Sequence, residues 1–196
     1  MGKLSIFDLP PELRERVYLA SFVNRDEDAR PEQRRPCEAA ITRTSRLVRE
    51  EALPLYYQRF PLTVQTYVKS DSFGHVWLTT NRWYRRLSPI KISWLSVLRL
   101  RFGFLERFFG EPVTVDFVVA LDRRIGSYSI SHSFDSGWIS DAPQKGDPAD
   151  CEEVFVALQS HLERELQHVL ACSGTVAFQA ADIDRMVAFD PKHLPV

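Results

Sequence analysis

The segment from Asp8 to Tyr18 constrains the fold more than any other, because it contains the signals that begin an α-helix. Asp8 can accept a hydrogen bond from a free amide of a first turn, and Pro10 and Pro11 occupy positions where a missing N–H costs little. Glu12 suits the positive end of the helix dipole. The spacing of the apolar residues predicts that they share one side of the helix: Leu9, Leu13, Val17 and Ala20. A helix this short is marginal by itself, so this side must be buried against something.

The composition is that of a folded globular chain without a general attraction to polyanions. The chain has 196 residues, 44% hydrophobic and 12% aromatic, which argues against disorder. The net charge of −1 gives no reason to expect nucleic acid or a membrane surface as a partner. Residues 1–7 lack the apolar stretch of a secretory signal. The three cysteines, at 37, 151 and 172, are widely separated, and we therefore expect a reducing, intracellular location in cytoplasm or nucleus.

A second helix follows a charged, proline-containing loop at 24–36. It is predicted to begin near Cys37, and its apolar side is formed by Ile41, Thr44, Val48, Ala52 and Leu55. Pro54 is expected to break this helix or restart it, because proline has no N–H to donate.

Two patterns within these helices resemble the F-box-like proteins of filamentous fungi. The first is Leu-Pro-Pro-Glu-Leu-Arg at 9–14, followed by Val17 and Tyr18. The second is Arg-x-x-Arg-x-Glu-Ala at 46–52, with an aromatic end at Tyr56 and Tyr57. Ser45 stands where that pattern has a cysteine. The resemblance covers about residues 5–68, roughly a third of the chain.

This resemblance implies a docking role for the first helix. In F-box proteins the equivalent helix binds the Skp adaptor of a cullin ubiquitin ligase, and the rest of the protein holds a client. The partner-binding residues that the resemblance implies are Leu9, Pro10, Pro11, Leu13, Val17 and Tyr18. The alternative is that the same helix packs entirely within its own chain, since an apolar stripe on a first helix is commonly core.

The remainder of the sequence predicts a sheet with helices. Alternating apolar residues predict strands at 60–68, 98–104, 113–121 and 127–134. A hairpin turn ends at Gly126, and the serine-rich last strand suits a sheet edge. Helices are predicted at 73–87, 151–171 and 182–189, with a short strand at 175–178. The apolar stripe of helix 151–171 is predicted to lie across the sheet and consists of Phe155, Leu158, Leu162, Leu166 and Val169.

The predicted fold class is α+β. The F-box-like helices, as a module at 1–59, would pack on a small, mostly antiparallel sheet covered by the long C-terminal helix. The α+β part would span 60–196 and be continuous with the first module as one globule.

Three groups of residues could carry chemistry, and each has a plainer interpretation that we favour. His161, Glu165 and His168 share a helix side and could hold a metal, but a solvated flank explains them better. His132, Ser133, Asp135 and Ser136 are hydrolase residue types, yet adjacent strand residues point to opposite faces. A basic-aromatic cluster could bind single-stranded nucleic acid, and it consists of Arg82, Trp83, Tyr84, Arg85, Arg86, Arg99 and Arg101. The interpretation that we favour is that Trp83 is buried and the arginines are solvated.

The sequence therefore predicts a non-enzymatic interaction module without metal or cofactor. Its leading interpretation is an F-box-type substrate adaptor with a Skp-type partner and an unknown client protein. A stand-alone scaffold domain with the F-box-like helices buried as core is the alternative. A small-ligand binder or an enzyme using a pocket beside helix 151–171 is the third.

Overall fold

A computed structural model describes residues 5–23, 40–70, 76–104, 113–136, 148–173 and 177–190. The chain divides into two compact units, residues 1–60 and 61–196, and each is described separately. From the sequence, a boundary between residues 59 and 60 is expected within one continuous globule.

The first unit contains two helices, α1 at Pro11–Val23 and α2 at Arg46–Arg59, each preceded by a short 3₁₀ turn. The sequence predicts that Asp8 caps the start of α1, and this prediction is wrong. The Asp8 Oδ2 accepts the backbone N–H of Ser5 at 2.7 Å, which closes a capping box around the turn Ile6–Asp8. The first amides of α1 beyond Glu12 bond instead to the carbonyl of Pro10.

Helix α2 differs from its prediction at both ends. It begins at Arg46, where the Ser45 hydroxyl accepts the N–H of Val48 at 3.1 Å, and residues 24–39 lie outside the described range. Pro54 lies inside the helix without ending it, so the predicted break is wrong. Tyr56 and Phe60 both pack edge-on against Phe22 of α1, and these contacts stabilise the turn beyond the proline.

The second unit is built on a five-stranded sheet ordered β2-β1-β3-β4-β5. Its strands are β1 Leu62–Ser70, β2 Val76–Thr80, β3 Val97–Phe104, β4 Val113–Asp122 and β5 Ser127–Ser136. Only the pair β1–β3 is parallel, so the sheet is mostly antiparallel and the α+β class is confirmed. The hairpin between β4 and β5 is also confirmed, with Gly126 at a φ of 65°.

The predicted helix at 73–87 is wrong. Residues 76–80 form β2 antiparallel to β1, and Trp83–Arg86 and α3 (Pro89–Ser93) are short helical turns. The apolar spacing that suggested a helix also suits a short edge strand, and pairing with β1 decides between them. The Thr66 and Thr80 hydroxyls lie 3.1 Å apart across this pair. Pro89 begins a helix at a position where its missing N–H is unimportant.

The long helix α4, Pro148–Ser173, and the short helix α5, Ala180–Val187, complete the second unit. Phe155 of α4 stacks on Phe117 of β4 with ring centroids 5.4 Å apart, so α4 lies on that face of the sheet. Further along α4 the predicted apolar stripe is buried: Leu158, Leu162, Leu166 and Val169. Residues 177–179 before α5 are not a strand, and 174–176 lie outside the described range. No helix in the described ranges is long and apolar enough to cross a membrane.

Candidate functional site

Helix α1 has an exposed apolar side. Leu13 and Val17, one helical turn apart, are 42% and 40% exposed. Pro10 and Ala20 are exposed at the two ends of the same side. We call these four residues the α1 outer stripe: Pro10, Leu13, Val17 and Ala20. Of the other predicted docking residues near the helix start, Pro11 is exposed and Leu9 is partly exposed.

The opposite side of α1 forms the core of the first unit. Tyr18 and Phe22 are almost fully buried and cluster with Val48 and Ala52 of α2. The predicted docking set included Tyr18, but its side chain lies in this interior. The candidate surface therefore excludes Tyr18. Apolar spacing grouped Leu13 and Val17 on a side expected to be buried against something, and it did not identify the aromatic residues as the side that packs on α2.

A network of polar groups fixes α1 to α2. Glu51 accepts two hydrogen bonds from the Arg14 guanidinium, each at 2.9 Å, and a third from the Tyr18 hydroxyl at 2.9 Å. A further guanidinium nitrogen of Arg14 donates to the Leu9 carbonyl at 2.9 Å, which ties down the segment before the helix. The two sequence patterns therefore meet at one ion pair, and the angle at which α1 presents its outer stripe depends on it.

This network shifts the pKa values of its members in the expected directions. The bonds from Arg14, and then from Tyr18, lower the pKa of the Glu51 carboxyl below its ordinary value. Burial, followed by the bond to Glu51, raises the pKa of the Tyr18 phenol. Glu51 is thus ionised at neutral pH, and the neutral Tyr18 hydroxyl donates a hydrogen bond to its carboxylate.

The candidate metal group is not arranged for a metal. His161 is buried, so its expected solvated position is wrong. The Arg164 guanidinium lies 2.8 Å from Nδ1 of His161, and a guanidinium can only donate a hydrogen bond. Nε2 of His161 lies 3.1 Å from the Arg185 carbonyl oxygen. His161 is therefore a neutral imidazole that donates through Nε2, and burial lowers its pKa. Glu165 forms an ion pair with Arg164, and His168 is exposed. The described residues contain no cluster of three or more metal-binding side chains.

The hydrolase residues are kept apart by the sheet. In β5, His132 pairs with Phe117 and Ser133 pairs with Asp116, so the imidazole and the hydroxyl are on opposite faces, as expected. The His132 ring lies 4.3 Å from that of Phe155 on α4. The side chains of Asp135 and Ser136 lie outside what the structure describes.

The predicted basic-aromatic cluster is divided between two places. Tyr84 is fully buried, and its hydroxyl donates to Asp184 at 2.6 Å, while Arg85 binds the same carboxylate. Burial and this bond raise the pKa of Tyr84. Trp83 is partly exposed instead of buried. Arg99 and Arg101 lie on the sheet, where both Arg101 contacts with Asp116 are 2.7 Å long.

Two features of the first unit escaped the sequence patterns. The sequence patterns gave no partner for Glu51, although its coupling to Arg14 could have been suspected because both belong to the resembling patterns. Leu47 and Phe7 are large exposed apolar residues, and neither falls on a predicted apolar stripe. Comparisons with family models, with curated proteins and with solved structures found no match to the chain.

Proposed function

We propose that the chain is a protein–protein interaction module that docks a partner through the α1 outer stripe. The observation that carries this proposal is the exposure of Leu13 and Val17 on one side of a helix whose other side is packed. Both side chains are already more than half buried, so covering the exposed remainder of each in an interface would contribute about 0.5–1 kcal/mol. Two such groups side by side on a rigid helix favour binding to an apolar groove on another protein.

The partner class follows from the sequence resemblance. An F-box-type adaptor would use this helix to bind a Skp-type ligase adaptor and would present a client held by the second unit. The Arg14–Glu51 pair supports this proposal, because a helix fixed to its neighbour loses little freedom when it docks.

The first test is capture of the full chain by an immobilised Skp adaptor. The double variant Leu13→Asp, Val17→Asp should abolish capture, because it places two charges in the docking surface. Ile125→Asp is the matched control, since Ile125 is 75% exposed in the second unit, and it should leave capture unchanged. Absence of wild-type capture, or equal capture by the double variant, contradicts the proposal.

The alternative is a stand-alone scaffold domain in which the F-box-like helices are only core. The buried positions of Tyr18 and Phe22 favour it, because they belong to α1 as well. Stability separates the two interpretations. If the outer stripe is free for docking, the double aspartate variant should change the free energy of unfolding by about 0.5 kcal/mol or less per site. Phe22→Ala should cost about 3–5 kcal/mol. Unfolding of the double variant would instead support the scaffold.

A further inference from the structure

The face of the sheet opposite α4 carries aromatic and cationic side chains close together. Phe117 of β4 points toward α4, and its register partner Leu100 of β3 therefore lies on the same face. Because side chains alternate along a strand, the odd-numbered residues of β1, β2 and β3 lie on the opposite face. We define the cationic–aromatic face by five residues on these strands: Tyr67, Lys69, Trp77, Arg99 and Arg101.

Two of these residues, Trp77 and Tyr67, are aromatic. Trp77 pairs with Lys69 and is 44% exposed, which is high for so large an apolar side chain. Tyr67 is its diagonal neighbour, at about 7–8 Å between backbones. A Cβ built on Gly103 would lie 3.1 Å from Cδ1 of Tyr67, so the Tyr67 ring extends over Gly103, along the sheet. Two separate aromatic rings on one face of a sheet can each stack with one base of an unpaired strand.

The charge on this part of the face is positive. Arg101 is neutralised by Asp116, but the Nε of Arg99 is buried and has no hydrogen-bond partner among the described residues. Lys69 adds a second cation beside Trp77. The carboxylates that the register places on this side of the sheet, among the described side chains, belong to β4: Asp116 and Asp122. Positive charge is therefore concentrated on β1 and β3, beside Trp77 and Tyr67.

We infer that the cationic–aromatic face binds single-stranded nucleic acid. Bases stack on Trp77 and Tyr67, and Lys69 and Arg99 contact the phosphates. An acidic peptide would satisfy the cations but would leave the two rings without a stacking partner, so the exposed tryptophan decides between them. The net charge of −1 does not oppose this inference, because the acidic residues of the sheet are on other strands.

Fluorescence anisotropy with the full chain and a labelled oligo-uridine or oligo-thymidine tests the inference. Binding should weaken with salt, with a slope of log K against log salt of about −1 to −2 for two phosphate contacts. Trp77→Ala should weaken binding at least about fivefold. Lys69→Ala should reduce the slope by about one. Tyr67→Phe keeps the ring over Gly103 and should retain binding.

Controls on other surfaces make the test specific. Ile125→Ala and Arg124→Ala remove an exposed apolar group and an exposed cation from the β4–β5 turn, and both should bind as wild type does. Three results would overturn the inference: no binding at low salt by the folded wild type, binding unaffected by Trp77→Ala, or equal competition by poly-glutamate. Equal binding of a blunt duplex would also overturn it, because paired bases cannot stack on the rings.

Discussion

Glu51 accepts hydrogen bonds from two side chains of α1, those of Arg14 and Tyr18. Removing its charge would leave the Arg14 guanidinium without its carboxylate and weaken the bond from Tyr18. Its neighbour Glu50 also forms an ion pair, with Arg46 one turn earlier, but both of those side chains are well exposed. Substitution of each glutamate in turn therefore compares a partly buried ion pair with an exposed one.

We predict that Glu51→Gln lowers the melting temperature at neutral pH, whereas Glu50→Gln hardly changes it. The folded pKa of Glu51 is lowered, so its contribution is present above the unfolded value near 4.5 and is lost as pH falls through the folded pKa. The difference between Glu51→Gln and wild type should therefore close in acid. Thermal melts followed by circular dichroism at several pH values measure this, and equal effects of the two substitutions would contradict it.

We predict a second pH dependence from His161. Folding favours the neutral form of this imidazole, whereas it favours the charged form of Glu51. The folded pKa of His161 lies below the ordinary value of 6.5, so the unfolded chain binds the proton first. Stability should be full above about pH 6.5 and decrease as pH falls toward the folded pKa. His161→Gln cannot take up a proton, and we expect its melting temperature to fall less between about pH 7 and pH 5. Parallel profiles for the two proteins would show that another group is responsible.

At the scale of elements, the β4–β5 hairpin depends on one backbone conformation. Gly126 has a φ of 65°, and the Asp122 carboxylate accepts the N–H of Arg124 at 2.9 Å within the same turn. We predict that Gly126→Ala costs about 1 kcal/mol, because a Cβ disfavours the left-handed region. Gly126→Asn should cost less, since asparagine tolerates that region. Urea denaturation of both variants is the measurement, and an equal cost would place the strain elsewhere.

Helix α1 has apolar residues on more than one side. Its aromatic side closes the core of the first unit, and its smaller apolar residues remain accessible. The docking that we propose would use the second set and leave the first undisturbed.

At the scale of the whole molecule, the second unit contains its own core. Large, fully buried side chains come from the sheet and from α4, among them Phe102, Phe117, Leu158 and Leu162. We predict that residues 61–196, expressed alone, keep a cooperative thermal transition followed by circular dichroism. A fragment of 60 residues buries proportionally less surface, so residues 1–60 alone should be marginal. A fragment 61–196 without a cooperative transition would show that its fold requires the first unit.

Sequence patterns predicted correctly those helices, strands and turns whose tertiary contacts agree with the conformation that their own residues prefer. In the strands around Leu98 and Phe117 every second residue is apolar and buried, which follows from a period of two. The long helix has a stripe with a period near 3.6, and it is buried as predicted. The turn at Gly126 follows from glycine chemistry alone. These features depend on residues close together in the chain.

The tertiary structure decided the features that depend on distant residues. Residues 76–80 became a strand because β1 offers an open edge, and α2 continues past Pro54 because Phe22 packs on the residues that follow. The same holds for the exposed side of α1: Tyr18 is buried against Glu51 and Ala52 of α2, which leaves Leu13 and Val17 outside. Local periodicity determines that a helix has an apolar side. Which of its apolar residues are buried depends on the shape and charge of the element it meets.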